Sequence, residues 1–250
     1  MFINNINPDI ISIGPFVIRF YGIVYALALL TIAHMLGKAG IKNLDKDKAY
    51  DLAIYGMIGG LIGARLFHVI ADFYLYKNNL IGIFYIWNGG LGFQGGLLGA
   101  IITVYYFCNK NKINLLRVLD SVAIPSAFFL GLGRIANYIN SEHLGFITDV
   151  PWCVVFERVD SICRHPAQIY QAISQFVLFG ILFFVSKRKH KKGTLTWTFF
   201  AGYGVFRFIT DSFRSDLNAV FLGMSHTQMI SLLMAGIGFY NLYNLYIKKR

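Results

Sequence analysis

The chain is dominated by apolar runs about as long as a lipid bilayer is thick. A helix crosses the hydrocarbon core of a membrane in about 20 residues. Seven runs of about this length predict spans at 16–38, 51–72, 86–108, 118–138, 166–186, 194–211 and 227–247. Only 14% of the residues are charged, whereas a soluble domain usually carries about a quarter. The sequence therefore predicts an all-α polytopic membrane protein, with residues 1–250 forming a single integral membrane domain.

The basic residues predict how the spans are oriented. Fifteen lysines and arginines follow spans 1, 3, 5 and 7, whereas the alternate loops hold four. The side rich in basic residues is cytoplasmic by the positive-inside rule, so the N-terminus lies outside and the C-terminus inside. Segment 139–165 is then external and is predicted to be a small ordered cap. This distribution accounts for the net charge of +11. No nucleic-acid partner is expected, because the sequence has no stripe of basic residues interleaved with aromatic ones.

Four arginines lie within the predicted spans, each toward the external end: Arg19, Arg65, Arg134 and Arg207. Charges inside spans are costly and usually face a cavity or pair with partners. The planar guanidinium suits bidentate binding of phosphate. The arginines thus predict a polar cavity that holds an anionic headgroup from the outer half of the membrane. An arginine close to the interface can also extend its side chain to water without any role, and Arg19 fits this alternative equally well.

Polar neighbours at helical spacing accompany two of these arginines. Asn137 follows Arg134 by three residues and shares its helix face. In "YGVFRFITDSFR", Asp211 and Arg214 continue the face of Arg207. Asp211 is expected to orient a guanidinium, although a purely structural ion pair has the same pattern.

Glycines in spans 2 and 3 predict close helix packing. "GMIGGLIGAR" and "GGLGFQGGLLGA" have glycines four residues apart, which lets helices approach closely. The same region places the Gln94 amide in the outer half of span 3. Tyr21 offers a hydroxyl in span 1, where an aromatic interface belt would explain it as well.

The segment "GRIANYINSEHLG" (133–145) resembles the signature of the bacterial prolipoprotein diacylglyceryl transferases. "FYGIVY", "GARLFHV", "WNGGLGFQGGLLG", "RHPAQIYQA" and "YGVFRFITDSFR" also occur in the order of that family. The resemblance covers about residues 14–240. It implies transfer of the diacylglyceryl group of phosphatidylglycerol to the lipobox cysteine thiol of a prolipoprotein, with release of glycerol phosphate. It also implies a multi-pass protein of the bacterial inner membrane whose active site faces outward.

The resemblance assigns roles to individual residues. Arg134 and Asn137 match the phospholipid-binding pair, and Glu142 and Gly145 match the end of the signature. The remaining expected site residues are Tyr21 and Gln94, with Arg207, Asp211 and Arg214. Of these, Arg134, Arg207, Tyr21 and Gln94 are expected to act in catalysis and the others in substrate binding.

Gln94 departs from the family pattern, which often has a histidine at this position as a proposed base. Glutamine cannot accept a proton at neutral pH. Nearby arginines would raise the thiolate fraction of the substrate cysteine, so an active enzyme without an imidazole base is expected. His68 and His143 are alternative bases. An inactive paralogue, or a transporter-like protein that binds an anionic lipid without chemistry, is the competing interpretation.

No metal or cofactor is expected from the sequence. The three cysteines, Cys108, Cys153 and Cys163, lack the spacing of metal ligands. Cys153 and Cys163 share one predicted external loop, and the sequence leaves open whether they form a disulfide.

Overall fold

Helices make up most of the structure. The computed structural model describes residues 1–13, 16–77, 79–85 and 89–248. Seven α-helices occur in these ranges, numbered in chain order: α1 (Phe20–Lys38), α2 (Lys46–Ala71), α3 (Phe93–Lys110), α4 (Leu115–Ile139), α5 (Ala167–Ser186), α6 (Thr194–Asp211) and α7 (His226–Tyr243). A π-helical turn, Asn244–Lys248, extends α7. The protein is mostly helical, as expected, but the all-α prediction is wrong in detail because short β-strands pair outside the helices.

Five of the described helices are long and apolar enough to cross a membrane. They are α1, α2, α4, α5 and α7 with its π-helical turn. The other two, α3 and α6, have 18 residues each. A multi-pass membrane protein is therefore supported, while the count of seven spans stays a prediction.

Arg19 lies before the first helix, so its predicted place inside a span is wrong. Residues Phe16–Arg19 form strand β3, which pairs with strand β2 (Asp9–Ile13) in an antiparallel hairpin. The exposed Arg19 side chain donates through Nε to Oδ1 of Asp9 at 2.8 Å. The helix begins only at Phe20. Strand pairing has therefore replaced the first turn of the expected span.

The third helix begins later than the apolar run suggested. Of the predicted start, residues 86–88 lie outside the described residues. Gly89 and Gly90 have φ of 83° and 74°, in the left-handed region that helices exclude and glycine tolerates. The helix therefore starts at Phe93.

The chain divides into two compact units, one of residues 29–118 and the other of residues 1–28 with 119–250. In the first unit α2 and α3 pack backbone against backbone. A Cβ atom on Gly63 would collide with the carbonyl oxygen of Gly95, and one on Gly99 with that of Gly59. Glycine is therefore required at this crossing, which confirms the predicted close packing.

In the second unit α4, α5 and α6 share an apolar core. Its buried members are Ala123, Ala127, Leu178, Leu182 and Leu195. Gly204 of α6 approaches the backbone of α7 so closely that a side chain would clash with the carbonyl of Ser231. Asp120 of α4 accepts hydrogen bonds from the backbone N–H groups of Gly193 and Thr196 at 2.6 and 2.8 Å. A carboxylate at this position stabilises the N-terminus of α6.

Segment 139–165 is folded around a small sheet. Strands β4 (Val154–Phe156) and β5 (Cys163–Arg164) are antiparallel, and the N-terminal strand β1 (Phe2–Asn4) pairs parallel to β4. A disulfide joins Cys153 to Cys163, which settles the pairing left open by the sequence. The sequence did not predict that the N-terminal strand β1 would join this sheet. A second hairpin, β6 (Ala219–Phe221) and β7 (Met224–Ser225), precedes α7.

Candidate active site

The C-terminal end of α4 holds one half of the site. Nη1 of Arg134 donates to Oδ1 of Asn137 at 3.2 Å. Nδ2 of Asn137 donates to Oε2 of Glu142 at 3.0 Å and to the hydroxyl of Tyr21. That hydroxyl donates in turn to Oε2 of Glu142 at 2.7 Å. Four residues that the resemblance selected therefore form one hydrogen-bonded chain, with Arg134 at one end.

The signature segment turns back on the helix that precedes it. Ser141 and His143 have φ of 57° and 55°, a left-handed conformation that non-glycine residues rarely adopt. This turn brings the backbone N–H of Glu142 to the carbonyl of Asn137 at 3.0 Å. On the other side, Nε2 of Gln168 donates to the carbonyl of Glu142 at 2.5 Å. The backbone of Glu142 is thus held by a hydrogen bond at its N–H group and another at its carbonyl.

Gly145 allows two loops to pack against each other. A Cβ atom at this position would collide with the carbonyl oxygen of His165 and lie 2.9 Å from that of Phe213. Gly145 also forms a β-bridge with Arg214. The geometry gives Gly145 a packing role that holds the signature loop against the end of α6.

The C-terminal end of α6 holds the other half of the site, around Asp211. Its side chain is fully buried and accepts from Nε of Arg207 at 3.0 Å through Oδ2. The other oxygen, Oδ1, accepts from Nε2 of Gln171 at 2.9 Å and lies 3.6 Å from Nη1 of Arg214. A buried carboxylate needs such partners to offset its desolvation. Because Asp211 engages Nε, Arg207 presents its two terminal nitrogens, which have no hydrogen-bond partner among the described residues.

Arg214 extends this network toward the solvent. Its guanidinium donates to both carboxylate oxygens of Asp216, at 2.9 and 2.7 Å. His143 contacts the same carboxylate at 2.9 Å. Burial acts to raise the pKa of Asp216, but the hydrogen bonds and charges of His143 and Arg214 outweigh it, so the pKa lies well below its usual range. Arg214 is thus neutralised by carboxylates on either side.

The two halves meet around Arg134. This residue lies close enough to Arg207, Arg214 and Asp211 for their charges to interact. In the part of the chain that the structure describes, Arg134 forms no ion pair, and its one hydrogen bond is donated to the Asn137 amide oxygen. Arg134 and Arg207 therefore supply guanidinium donors in excess of the carboxylates beside them. Such a surplus suits a bound phosphate.

Gln94 lies in the other compact unit, in the first turn of α3. Its side chain is exposed, and no hydrogen bond to it is formed within residues 89–248 or the other described ranges. Both histidines that were considered as alternative bases, His68 and His143, already contact a charged side chain. His68 pairs with Asp72 at 3.1 Å, and His143 pairs with Asp216 and Arg214.

Arg65 does not form part of an anion site, contrary to the sequence prediction. All five of its N–H groups point at backbone carbonyls, at distances from 2.7 to 3.4 Å. The acceptors are Gly82, Ile83, Tyr85, Gly89 and Gly90. The ring of Tyr76 lies 5.2 Å from the guanidinium carbon. With its donors engaged, Arg65 organises the loop between α2 and α3.

Sequence reasoning missed the polar residues of α5. Gln168 and Gln171 hold the two halves of the site through Glu142 and Asp211. The signal was present in "AQIYQAISQFVLF", where three glutamines occur at i, i+3 and i+7 in an apolar run.

Within the described residues no group of three histidine, cysteine or carboxylate side chains could hold a metal.

Comparison of the sequence with known proteins identifies the family of the chain. The model of the family described as prolipoprotein diacylglyceryl transferase matches residues 8–244. The chain belongs to this family. One member, the phosphatidylglycerol–prolipoprotein diacylglyceryl transferase of Polynucleobacter necessarius, is 38% identical over 248 residues, covering 94% of each chain. Proteins of the same name from Vibrio cholerae and Vibrio parahaemolyticus are 37% and 36% identical over 242 residues, covering 94% of this chain and 89% of theirs.

Proposed function

We propose that the protein transfers the diacylglyceryl group of phosphatidylglycerol to the lipobox cysteine thiol of a prolipoprotein, the first step of lipoprotein maturation. The observation that carries the proposal is the convergence of Arg134 with the Arg207–Asp211 pair at the ends of α4 and α6. The phosphate of the lipid binds to their unengaged N–H groups. Family membership and the names of the relatives support the same reaction.

The reaction is a substitution at the glyceryl carbon that carries the phosphate. The cysteine sulfur forms a thioether bond to this carbon as the carbon–oxygen bond to phosphate breaks. Glycerol phosphate leaves with the bonding electrons, and the thiol proton ends on the leaving phosphate or in water. Negative charge grows on the phosphate as the bond breaks, so donors already aimed at it stabilise the transition state more than the bound lipid. Arg134 and Arg207 serve this role.

Other members of the site hold these donors in place. Tyr21, Asn137 and Glu142 form the chain that orients Arg134, while Asp211 orients Arg207 and Arg214. Gly145 keeps the signature loop against α6. Gln94 is proposed to assist the transfer through hydrogen bonds alone, because a glutamine cannot take the thiol proton. The cationic site raises the thiolate fraction instead.

We place the protein in the bacterial inner membrane with seven spans, the N-terminus outside and the C-terminus in the cytoplasm. The uneven distribution of fifteen against four basic residues supports this orientation. The Cys153–Cys163 disulfide lies in the segment assigned to the external cap. Disulfides persist in oxidising compartments such as the periplasm, which agrees with that placement.

The transfer is tested with detergent-purified protein, phosphatidylglycerol and a peptide that bears a lipobox cysteine. Mass spectrometry is expected to find a diacylglyceryl thioether on the peptide, together with released glycerol phosphate. Arg19→Gln is the matched arginine control, because Arg19 is exposed and, among the described residues, pairs with Asp9 alone. If the wild-type protein binds the lipid but forms no adduct while an active relative does, the protein is a lipid-binding paralogue or transporter.

A further inference from the structure

A row of three buried glutamines runs along one face of α5. Gln168, Gln171 and Gln175 are 0%, 2% and 4% exposed. Their spacing of three and four residues keeps them on one side of the helix, over a length of about 10 Å. Polar side chains are costly inside a membrane-spanning helix, so a row of them calls for a function or a full set of hydrogen bonds. We call these residues the glutamine row.

The glutamine row lacks a full set of hydrogen bonds. The side-chain oxygen of each member is buried and accepts no hydrogen bond from the described residues. For two members the orientation of the amide is fixed by an acceptor. Nε2 of Gln168 donates to a carbonyl and Nε2 of Gln171 to a carboxylate, so a flipped amide would set oxygen against oxygen. An unsatisfied buried acceptor is unfavourable, and three in one row indicate a ligand that supplies donors.

The surroundings of the row restrict which ligand can supply these donors. Gln171 contacts Asp211, which binds Arg207 and Arg214, and Arg134 lies within electrostatic range of all three. These guanidinium groups repel a cationic headgroup such as an ammonium. A neutral hydroxyl next to a phosphate satisfies both parts of the site, because the arginines bind the phosphate and an amide oxygen accepts from the hydroxyl.

We propose that the glutamine row is the subsite that selects a hydroxyl-bearing headgroup, with Gln171 and Gln175 accepting from the terminal glycerol of the lipid substrate. The assignment rests on the proposed function, since it concerns the lipid whose phosphate binds to Arg134 and Arg207. The oxygens are shielded from bulk solvent, so we assign their donors to the bound lipid.

The test compares two lipids that differ only in headgroup hydroxyls. Phosphatidylglycerol and phosphatidylpropanol with identical acyl chains carry the same phosphodiester charge, but only the first has hydroxyls. The wild-type protein is expected to have a kcat/KM for transfer about tenfold higher with phosphatidylglycerol, equivalent to about 1.4 kcal/mol. Gln171→Met and Gln175→Met, which keep side-chain length and remove the oxygen, are each expected to lower this ratio to about threefold or less.

The ratio separates selectivity from general damage. Gln171→Met also removes the hydrogen bond to Asp211, but that loss slows transfer from both lipids alike. Ser174→Ala is the matched control, because Ser174 is buried on the same helix and its hydroxyl already donates to the carbonyl of Gln171 at 2.8 Å. Its ratio is expected to equal that of the wild type.

Failure of the headgroup assignment and failure of the proposed function give different results. If the wild-type protein transfers equally from both lipids, or if the ratio is unchanged in both methionine variants, the glutamine row does not read the headgroup. Absence of transfer from either lipid by the wild-type protein would contradict the proposed function instead.

Discussion

Arg65 and Arg134 are two arginines within helices of this membrane protein, and their surroundings are opposite. Arg65 donates all five of its N–H groups to backbone carbonyls of one loop. Arg134 contacts one amide oxygen and, within the described residues, no carboxylate. An arginine with every donor engaged stabilises its fold, whereas one with donors to spare can bind an anion. The number of engaged N–H groups therefore separates a structural arginine from a functional one.

The same contrast holds within the site. Arg214 pairs with Asp211 and Asp216, while Arg207 keeps its terminal nitrogens without partners in the described part of the chain. Arg207 and Arg134 are accordingly the two arginines assigned to the phosphate. Arg214 serves mainly to fix Asp211 and the signature loop, through the bridge to Gly145.

The largest effect is expected from Arg134→Ala. Removing a donor aimed at developing charge costs about 10²–10³-fold in the rate of catalysis. We expect the transfer rate to fall by at least this factor. The melting temperature should stay close to that of the wild type, because Arg134 makes one hydrogen bond within the described residues. The peptide-modification assay and thermal unfolding in detergent provide the two readouts. If the variant retains more than a tenth of the wild-type activity, Arg134 does not stabilise the transition state as proposed.

Arg65→Met is expected to act on stability. It leaves the carbonyls around the guanidinium without their donor, and a buried acceptor left unsatisfied costs about 1–3 kcal/mol. The melting temperature is therefore expected to fall by several degrees, which thermal unfolding will measure. At temperatures where the variant is still folded, the KM for phosphatidylglycerol should be unchanged. A selective rise in this KM would show that Arg65 binds the lipid after all.

Gln94→Ala is expected to have a moderate effect. Because glutamine contributes a hydrogen bond and no proton transfer, its loss should slow transfer by about tenfold or less. The pH profile of the residual activity should keep the wild-type shape. Complete loss of transfer in a folded variant would mean that the thiol depends on Gln94 directly.

The smallest effect is expected from Asp216→Asn. The lowered pKa of Asp216 means that its pairing with Arg214 and His143 stabilises the fold. This contribution is fully present above the unfolded pKa of about 3.9 and is lost as the pH falls through the folded value. Since Asp216 is 40% exposed, we expect a loss of at most about 1 kcal/mol at neutral pH. Unfolding curves at pH 7 and near pH 2 would measure it, and an equal difference at both would contradict the assignment.

The sequence predicted those parts of the molecule that depend on local pattern. The lengths of the apolar runs predicted the helices, and the glycines spaced by four predicted the contact between α2 and α3. The motifs selected Tyr21, Arg134, Asn137, Glu142 and the Arg207–Asp211 pair, which the structure brings together.

What the sequence did not predict depends on contacts between distant segments. Strand β1 pairs with β4 from about 150 residues away, and no local pattern in Phe2–Asn4 indicates this. Arg65 was grouped with Arg134 because both lie toward the end of an apolar run. The five carbonyls that engage Arg65 belong to a loop 17 to 25 residues further along the chain, and its fold could not be predicted from local pattern. The glutamines of α5 were visible, but their partners Glu142 and Asp211 lie on other segments.

Binding of glycerol phosphate to the detergent-solubilised protein tests the contrast between the two arginines most directly. Titration calorimetry at low salt is expected to show saturable binding to the wild-type protein, weakened at least tenfold in Arg134→Ala. Arg65→Met, measured below its melting temperature, should bind as the wild type does. If Arg65→Met loses binding while Arg134→Ala keeps it, the assignment of the two arginines is wrong.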